Sequence, residues 1–421
     1  MSDYDEINRC NRCGFCQSVC PTYLATRDEV QVARGRIYLT RMLIEGRYDF
    51  TKDEDVSEKV NDCLLCKACV VNCPATVRTD DIMLAARRDF LEATGLSLFH
   101  RLVYRGVLSH RERLDRTSFL MRMYERSGAR NLLYGKTLRK ALDKLAYYDS
   151  FLPADLQRPA RPRLSEIVRP AGTPNLRVVY FLGCASNVFT SEIVLSSVAL
   201  LSKLGVEVVI PKVGCCGEPH RSAGDETEAR RLAKKNATLI FGPQADFVVT
   251  DCSTCASALR HYDRLLGDSP EGELARPKLS KVIDLTTLAY EHLGLSKMDL
   301  KPVGLTTITY HDPCHGIRGL GVKAAPREII KAIPDLELKE MDGADSCCGG
   351  AGSYGCTHPH MSGLIASGKV ENIIRSNAKA VATSCPACTL QLGAGLRRAG
   401  VRTPVAHPFA LLAKASGAVP N

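Results

Sequence analysis

Apolar and polar positions follow two different periods along this chain, and the change of period divides it. Up to about residue 150 the period is helical. The stretch RGRIYLTRMLIEGRYDF places Ile37, Tyr38, Leu39, Met42, Leu43 and Ile44 on one helical face. DIMLAARRDFLEATG predicts a helix capped by Asp81 at its start and by Gly95 at its end. SLFHRLVYRGVL and TSFLMRMYERSG continue the pattern, with long charged residues between apolar ones. Residues 153–174, PADLQRPARPRLSEIVRPAGTP, are rich in proline and predict a linker. Beyond it the short β-like runs LRVVYFLG, DFVVT, LTTITYHDP and KAVAT are interleaved with helical runs such as SSVALLSKLG and PREIIKAI. That alternation predicts α/β layers. No run of 18 apolar residues occurs, so no transmembrane segment is expected.

Cysteine turns this outline into chemistry. The chain has 421 residues and nineteen cysteines. A disulfide scaffold is usually short, secreted and even-counted. This chain is long and odd-counted, and MSDYDEINRC has no apolar signal-peptide core. The cysteines are therefore expected to be reduced, cytoplasmic and metal-ligating. The pattern C-x2-C-x2-C-x3-C-P occurs twice, as CNRCGFCQSVCP from Cys10 and CLLCKACVVNCP from Cys63. In this run three thiolates wrap one 4Fe–4S cubane and the fourth reaches across to a second cluster. The expected ligand sets are Cys10, Cys13, Cys16 and Cys73 for one cubane, and Cys63, Cys66, Cys69 and Cys20 for the other. A zinc ribbon favours two C-x2-C pairs joined by a longer loop, which these runs do not resemble.

The second half repeats itself. YFLGCASN, VGCCGEPH and TDCSTCAS return as YHDPCHGI, DSCCGGAG and TSCPACTL, with the cysteines offset by 130 to 133 residues. A near-constant offset over five cysteines marks a duplication. Each cysteine motif that follows a β-like run falls at the carboxyl end of a strand, where open α/β sheets place their sites. Adjacent thiolates leave the backbone in different directions and suit different irons of one cluster better than one small ion. Gly214, Gly217, Gly349 and Gly350 beside the pairs allow backbone to approach and N–H groups to face sulfur.

In these residues the chain resembles the CCG-domain (cysteine-rich domain) iron–sulfur proteins. That family includes the iron–sulfur subunits of glycolate oxidase and lactate-utilisation dehydrogenases, and the heterodisulfide reductase subunit that carries the same units. The resemblance implies a noncubane 4Fe–4S cluster on Cys184, Cys215, Cys216, Cys252 and Cys255. It implies a second on Cys314, Cys347, Cys348, Cys385 and Cys388, with zinc as the alternative in one unit. Complete five-cysteine sets point toward the heterodisulfide reductase branch, whereas CGFCQSVCPTY with RGRIYL is most similar to the glycolate and lactate subunits.

The fold class expected is α+β and multidomain. A mostly helical two-cluster ferredoxin-like domain occupies 1–95, and a basic helical connector and linker 96–174. Two α/β CCG units follow, over 175–300 and 301–421. The net charge is +10. Between Arg101 and Leu145 twelve Lys and Arg stand against four Asp and Glu, which fits a solvated helix face, an acidic partner or anionic lipid. No nucleic-acid motif accompanies the charge. The string GAGSYG at 350–355 follows a cysteine pair rather than a strand, so it is not read as a dinucleotide site. With no flavin or nicotinamide fingerprint, no catalytic residue is assigned. The resemblance implies an electron-transfer subunit beside an FAD subunit that oxidises a 2-hydroxy acid, lactate or glycolate. Electrons would pass to a quinone or membrane carrier through a membrane quinone-reactive or cytochrome partner, and the location expected is cytoplasmic or peripheral at the inner face of the cell membrane. The alternative is a catalytic subunit that acts on a disulfide at a noncubane cluster. Cys356 has no counterpart in the repeat and reads as a packed small residue. His220, His315, His358 and His360 lie near cysteine motifs as candidates to tune a cluster or carry a proton.

Overall fold

The computed structural model describes residues 4–128, 143–153 and 155–418. Part of the basic segment, 129–142, lies outside the described residues. Around the two cysteine runs the chain is helical, with Tyr4–Asn8, Pro21–Thr26, Ala33–Ile44, Glu54–Asn61 and Thr79–Thr94. Their inner faces share a core of Ile7, Ile37, Val60, Val77, Ile82 and Met83.

Two details differ from the periodicity. Tyr38 is exposed, and the buried face of Ala33–Ile44 takes in Arg36 and Thr40 instead. Arg36 is admitted because acceptors surround it. Its Nε donates to the Lys59 carbonyl at 2.7 Å, and its terminal nitrogens reach Thr22 Oγ1 and both the main-chain and side-chain oxygens of Gln31. The helix expected to start at Asp81 begins at Thr79. Asp80 and Asp81 then sit in its first turn, where carboxylates oppose the helix dipole. Gly95, with φ +76°, ends the helix as expected.

The helical connector runs on through His100–Leu108, wound with π-type hydrogen bonds, and Arg111–Arg126. The proline-rich segment does more than link. Its strand β1 (Ile167–Val168) pairs antiparallel with β3 (Val206–Val209). The rest of this first sheet is parallel: β2 (Leu176–Tyr180), β4 (Phe247–Thr250) and β5 (Val282–Asp284), in the order β1-β3-β2-β4-β5. The second sheet is wholly parallel and comprises β6 (Thr307–Tyr310), β7 (Glu337–Leu338), β8 (Ala380–Ala382) and β9 (Val405–Ala406). Its order, β7-β6-β8-β9, is that of β3-β2-β4-β5, so the duplicated cysteines belong to duplicated folds.

The central strands β2 and β4 are largely buried on both faces, which is why they read as continuous Val runs. The expected helices cover them: Ser191–Lys203 lies between β2 and β3, and Ala324–Ala332 between β6 and β7. The two halves share apolar cores. One joins Val381, Leu392 and Leu396 of the second half to Val179, Val248 and Leu259 of the first. Another seats Phe409 and Leu412 of the last helix, Pro408–Ala415, against Val194 and Leu201.

Helix Thr79–Thr94 meets the first α/β half at Gly224. That residue has φ +88°, and an added Cβ would stand 2.4 Å from the Arg87 carbonyl oxygen. Gly224→Ala therefore combines left-handed strain with a backbone clash, and is expected to destabilise this junction by about 1–3 kcal/mol. Limited proteolysis should release an amino-terminal fragment faster than in wild type, and an unchanged cleavage rate would contradict the packing.

Candidate metal centres

Each cysteine run forms a loop of the same shape. Arg12 and Leu65, two residues after the first cysteine of each run, have φ of 55° and 53°. Gly14 and Lys67, four residues after it, have φ of 88° and 61°. These left-handed positions curl the backbone inward and turn N–H groups toward sulfur; Leu65 N lies 3.5 Å from Cys63 Sγ. Cys20, Cys63, Cys66 and Cys69 line one small pocket with Pro21 and Leu64. Burial raises the Cys69 pKa well above the ordinary thiol value, and the neighbouring Cys66, Cys63 and Cys20 raise it further. The fourth cysteine of the first run thus stands with the first three of the second.

The other end is fastened across the runs. Asn72 Nδ2 donates to the Phe15 carbonyl at 2.6 Å. Arg9 donates to the Ala75 carbonyl at 3.2 Å and to Thr76 Oγ1 at 2.7 Å. These bonds hold the Cys73 loop against the loop of Cys10, Cys13 and Cys16.

In the α/β halves the cysteine motifs follow β2, β3 and β4, and again β6, β7 and β8. In both sheets the chain reverses its winding direction between the first and third of these strands, which is the usual place for a site. Cys184 Sγ and Cys215 Sγ are 3.8 Å apart. Cys252 caps the helix Ser253–Arg260, and its Sγ accepts from Cys255 N at 3.4 Å. In the second half Cys348 Sγ and Cys388 Sγ are 3.5 Å apart, and Gly349 N lies 3.4 Å from Cys347 Sγ. Gly217 and Gly349, the residues after each cysteine pair, have φ of 91° and 82°. A Cβ on Gly349 would meet the Ser362 carbonyl oxygen at 2.8 Å, so this turn requires glycine. Gly214 and Gly350 do not have positive φ.

Supporting groups hold the paired-cysteine loop of the first half. Asn236 Nδ2 donates to the Cys215 carbonyl at 2.8 Å, and Tyr262 OH to the Cys216 carbonyl at 2.9 Å. In the second half Arg327 grips Asp312 through two bonds of 2.7 and 2.8 Å, just ahead of Cys314.

The halves touch at their cysteines. Ser253 N donates to the Ser384 carbonyl at 2.9 Å, and Thr254 Oγ1 lies 3.4 Å from Cys385 Sγ. The dicluster loops approach the second half. Burial raises the Cys66 pKa, and the nearby Cys347 raises it further. Cys66 and Cys347 share a core with Leu64, Tyr354, Met361 and Ile365.

One residue escaped the sequence reading. His311 lies with Cys348 and Cys388 in a cluster whose ligand atoms fall within 4.8 Å of one another. Burial lowers its pKa to about 3, so the imidazole is neutral. The repeat held the signal: His311 in YHDPC occupies the place of Phe181 in YFLGC. Of the histidines singled out, His315 adjoins Cys314, with Nδ1 3.8 Å from Sγ. His220 packs edge-on against Tyr104, His358 stacks on Tyr354, and His360 is exposed. Cys356 joins none of the cysteine sets and is half-buried. All nineteen thiols are free. Donor sets made almost wholly of thiols suit iron–sulfur clusters, whose ligands are soft thiolates.

Comparison with known proteins agrees with this arrangement. The 4Fe–4S dicluster domain family matches residues 6–77, and the cysteine-rich domain family matches 178–260 and 308–393. A Bacillus subtilis protein described as a probable glycolate oxidase iron–sulfur subunit is 31% identical over 99% of this chain and 95% of its own length. Lactate utilization protein A 1 of Bacillus anthracis is 29% identical over 57% of this chain and 98% of its own. A subunit of the dihydromethanophenazine:CoB–CoM heterodisulfide reductase of Methanosarcina barkeri is 25% identical over 93% of this chain and 89% of its own.

The sulfur separations set an outcome for metal removal. After chelation under reducing conditions and slow air oxidation, mass spectrometry should find disulfides joining Cys184 to Cys215 and Cys348 to Cys388 ahead of other pairs. First-formed bonds from either pair to Cys10 through Cys73 would contradict the geometry.

Proposed function

The chain belongs to the family of iron–sulfur subunits that join a 4Fe–4S dicluster domain to two cysteine-rich domains, and we propose that it is the electron-transfer subunit of a 2-hydroxy-acid-oxidising complex. In this reading a separate FAD subunit oxidises lactate or glycolate, and a quinone or membrane carrier receives the electrons. The observation that carries the reading is that Cys66, in one dicluster loop, shares a buried core with Cys347 of the second α/β half. It supports a continuous relay of thiol sets and assigns no organic-substrate chemistry to this chain.

The ligand sets proposed are Cys10, Cys13, Cys16, Cys73 and Cys20, Cys63, Cys66, Cys69 for two cubanes. Cys184, Cys215, Cys216, Cys252, Cys255 and Cys314, Cys347, Cys348, Cys385, Cys388 are proposed for the two cysteine-rich units, with zinc the alternative in one of them. When bound, the clusters supply one-electron storage. The protein's part is to hold the thiols, keep water from them and direct backbone N–H groups at sulfur. The domain limits proposed are 1–95, 96–174, 175–300 and 301–421. The second reading, a disulfide reductase, is favoured by one feature: both five-thiol sets are complete.

The connector supports peripheral attachment to a membrane. No helix among the described residues is long and apolar enough to cross one. Arg111–Arg126 nevertheless exposes Phe119, Leu120 and Met123 at 53%, 64% and 54%, beside exposed Arg113, Arg116 and Arg126. Apolar groups flanked by arginines fit an anionic lipid surface, with the rings and aliphatic chains inserted and the guanidinium groups at the phosphates.

Two outcomes test these readings. Cys347→Ser should cost the second cysteine-rich unit its metal while leaving both cubanes reducible by lactate or glycolate through the native FAD partner. If hydroxy acids reduce no centre even in the wild-type complex, and a thiol substrate alters the EPR spectrum of the oxidised protein, the disulfide reading replaces this one. In flotation assays the protein should bind vesicles containing phosphatidylglycerol and not pure phosphatidylcholine. Binding should fall steeply between 0.1 and 1 M salt, as the screening length drops from about 10 to about 3 Å. Leu120→Glu should abolish it with no change in iron content, and retained binding would return this face to simple solvation.

A further inference from the structure

A cavity of about 1050 Å³ lies between the dicluster helices, the connector and the second α/β half, with Ser222 and Ala223 of the first half at its wall. It is as large as the largest common small-molecule sites, which run to about 1,000 Å³. Its walls are mainly aromatic and aliphatic, with Phe50, Phe90, Leu91, Leu96, Phe99 and Tyr104 among them. Cys63, Leu64 and Leu65 line this cavity and also the small pocket that gathers Cys20, Cys63, Cys66 and Cys69. One loop thus separates the cavity from a proposed cluster site.

Polar side chains also line the cavity, and two of them, Arg87 and His100, carry a buried nitrogen without a partner among the described residues. Arg87 is 7% exposed, and its Nε is buried with no hydrogen-bond partner among the described residues. His100 Nε2 is likewise buried and without a partner, while its ring stacks on Tyr104 at 4.6 Å and its Nδ1 is engaged by Ser97 Oγ at 3.0 Å. The segment that carries His100 also exposes Leu98 and Leu102, at 72% and 60%. Apolar surface therefore continues from the cavity wall to the outside of the connector.

We propose that this cavity binds a lipophilic quinone, a flat ring with two carbonyl acceptors, and that Arg87 and His100 are its polar contacts. A planar apolar ring suits the aromatic wall, and carbonyl oxygens suit two buried donors that lack acceptors. A small organic anion suits it less well, because Glu54 and Glu58 also line the cavity. A dinucleotide would need a phosphate cradle. GAGSYG at the cavity edge leads only into the four-residue helix Tyr354–Thr357, which is too short to supply one. The proposal rests on the hydroxy-acid reading above for its source of electrons. Oxidation of one 2-hydroxy acid to the 2-oxo acid releases two electrons and two protons, and reduction of one quinone to the quinol takes up the same number of each.

The chain contains no tryptophan, so a single introduced one reports locally. Phe99→Trp places it at the cavity, and Tyr290→Trp, on the exposed face of Leu285–His292, serves as the distant control. Titration of the anaerobic Phe99→Trp holoprotein with decylubiquinone should quench its indole fluorescence saturably. The Tyr290→Trp holoprotein should show only the linear quenching of collisions. In the Phe99→Trp background, His100→Leu should weaken binding at least tenfold at unchanged iron content. Leu96→Asp, which puts a charge on the apolar wall, should do the same. Equal quenching in the two single-tryptophan proteins, or affinity unchanged by both further substitutions, overturns the proposal. The donor reading is tested separately. Saturable quinone binding without hydroxy-acid reduction of the complex would leave the cavity and remove the donor. Reduction without binding would do the reverse.

Discussion

One buried guanidinium fixes how the halves of this protein meet. Arg87, on the last helix of the dicluster region, donates to the Ser222 carbonyl at 2.6 Å and the Asn61 carbonyl at 2.7 Å, and also to the carbonyl of Cys63. Ser222 belongs to the first α/β half and Cys63 opens a cluster loop, so one side chain ties the loop to the sheet. A buried charge is tolerated when hydrogen bonds surround it, and removing its acceptors would cost several kcal/mol. Ion pairs frame the same junction. Asp81 lies 3.9 Å from Arg221 and 3.6 Å from Arg264, and Arg105 forms a two-pronged bond to Asp225 at 2.8 and 2.9 Å. Together with the shared core around Leu64, Tyr354 and Met361, this clamp holds the cysteine sets of the two regions in place.

Given that clamp, the thiol sets form an ordered series. The dicluster loops approach the second half through Cys66 and Cys347, and the second half approaches the first at Cys385 and Thr254. The halves are duplicates in fold and unequal in chemistry. The second carries His311 and His315 where the first has Phe181 and Ala185, and its Cys347 shares a core with Cys66 of a dicluster loop. A neutral imidazole beside Cys348 and Cys388 changes the hydrogen bonding and polarity around that set, which are the levers that tune a cluster. Duplication supplied two similar sites, and divergence at a few positions around the sulfurs separated them.

The large cavity follows from the same assembly. Its walls come from the dicluster region, the connector and both α/β halves, and Arg87 of the clamp is one of its lining residues. The exposed apolar side chains of the connector would be a solubility cost in an isolated subunit, and they gain a physical reason if that face meets lipid.

Much of this was determined by local sequence. Cysteine spacing within a loop is set by backbone reach, so the two C-x2-C-x2-C-x3-C-P runs determined their loops. The repeat determined the two matching sheets, because their central strands had to be largely buried on both faces. Side-chain exposure and long-range contact were decided only by the tertiary structure. Periodicity placed Tyr38 on a buried face, but Arg36 took that place once Thr22, Gln31 and Lys59 supplied acceptors from elsewhere in the chain. The proline-rich segment gave no sign of β1, because a two-residue strand exists only through its pairing with β3. His311 was visible as a residue and not as a neighbour of Cys348 and Cys388, since loops from three strands had to meet before it lay beside them. The cavity, too, has no local signal, for no single segment contains it.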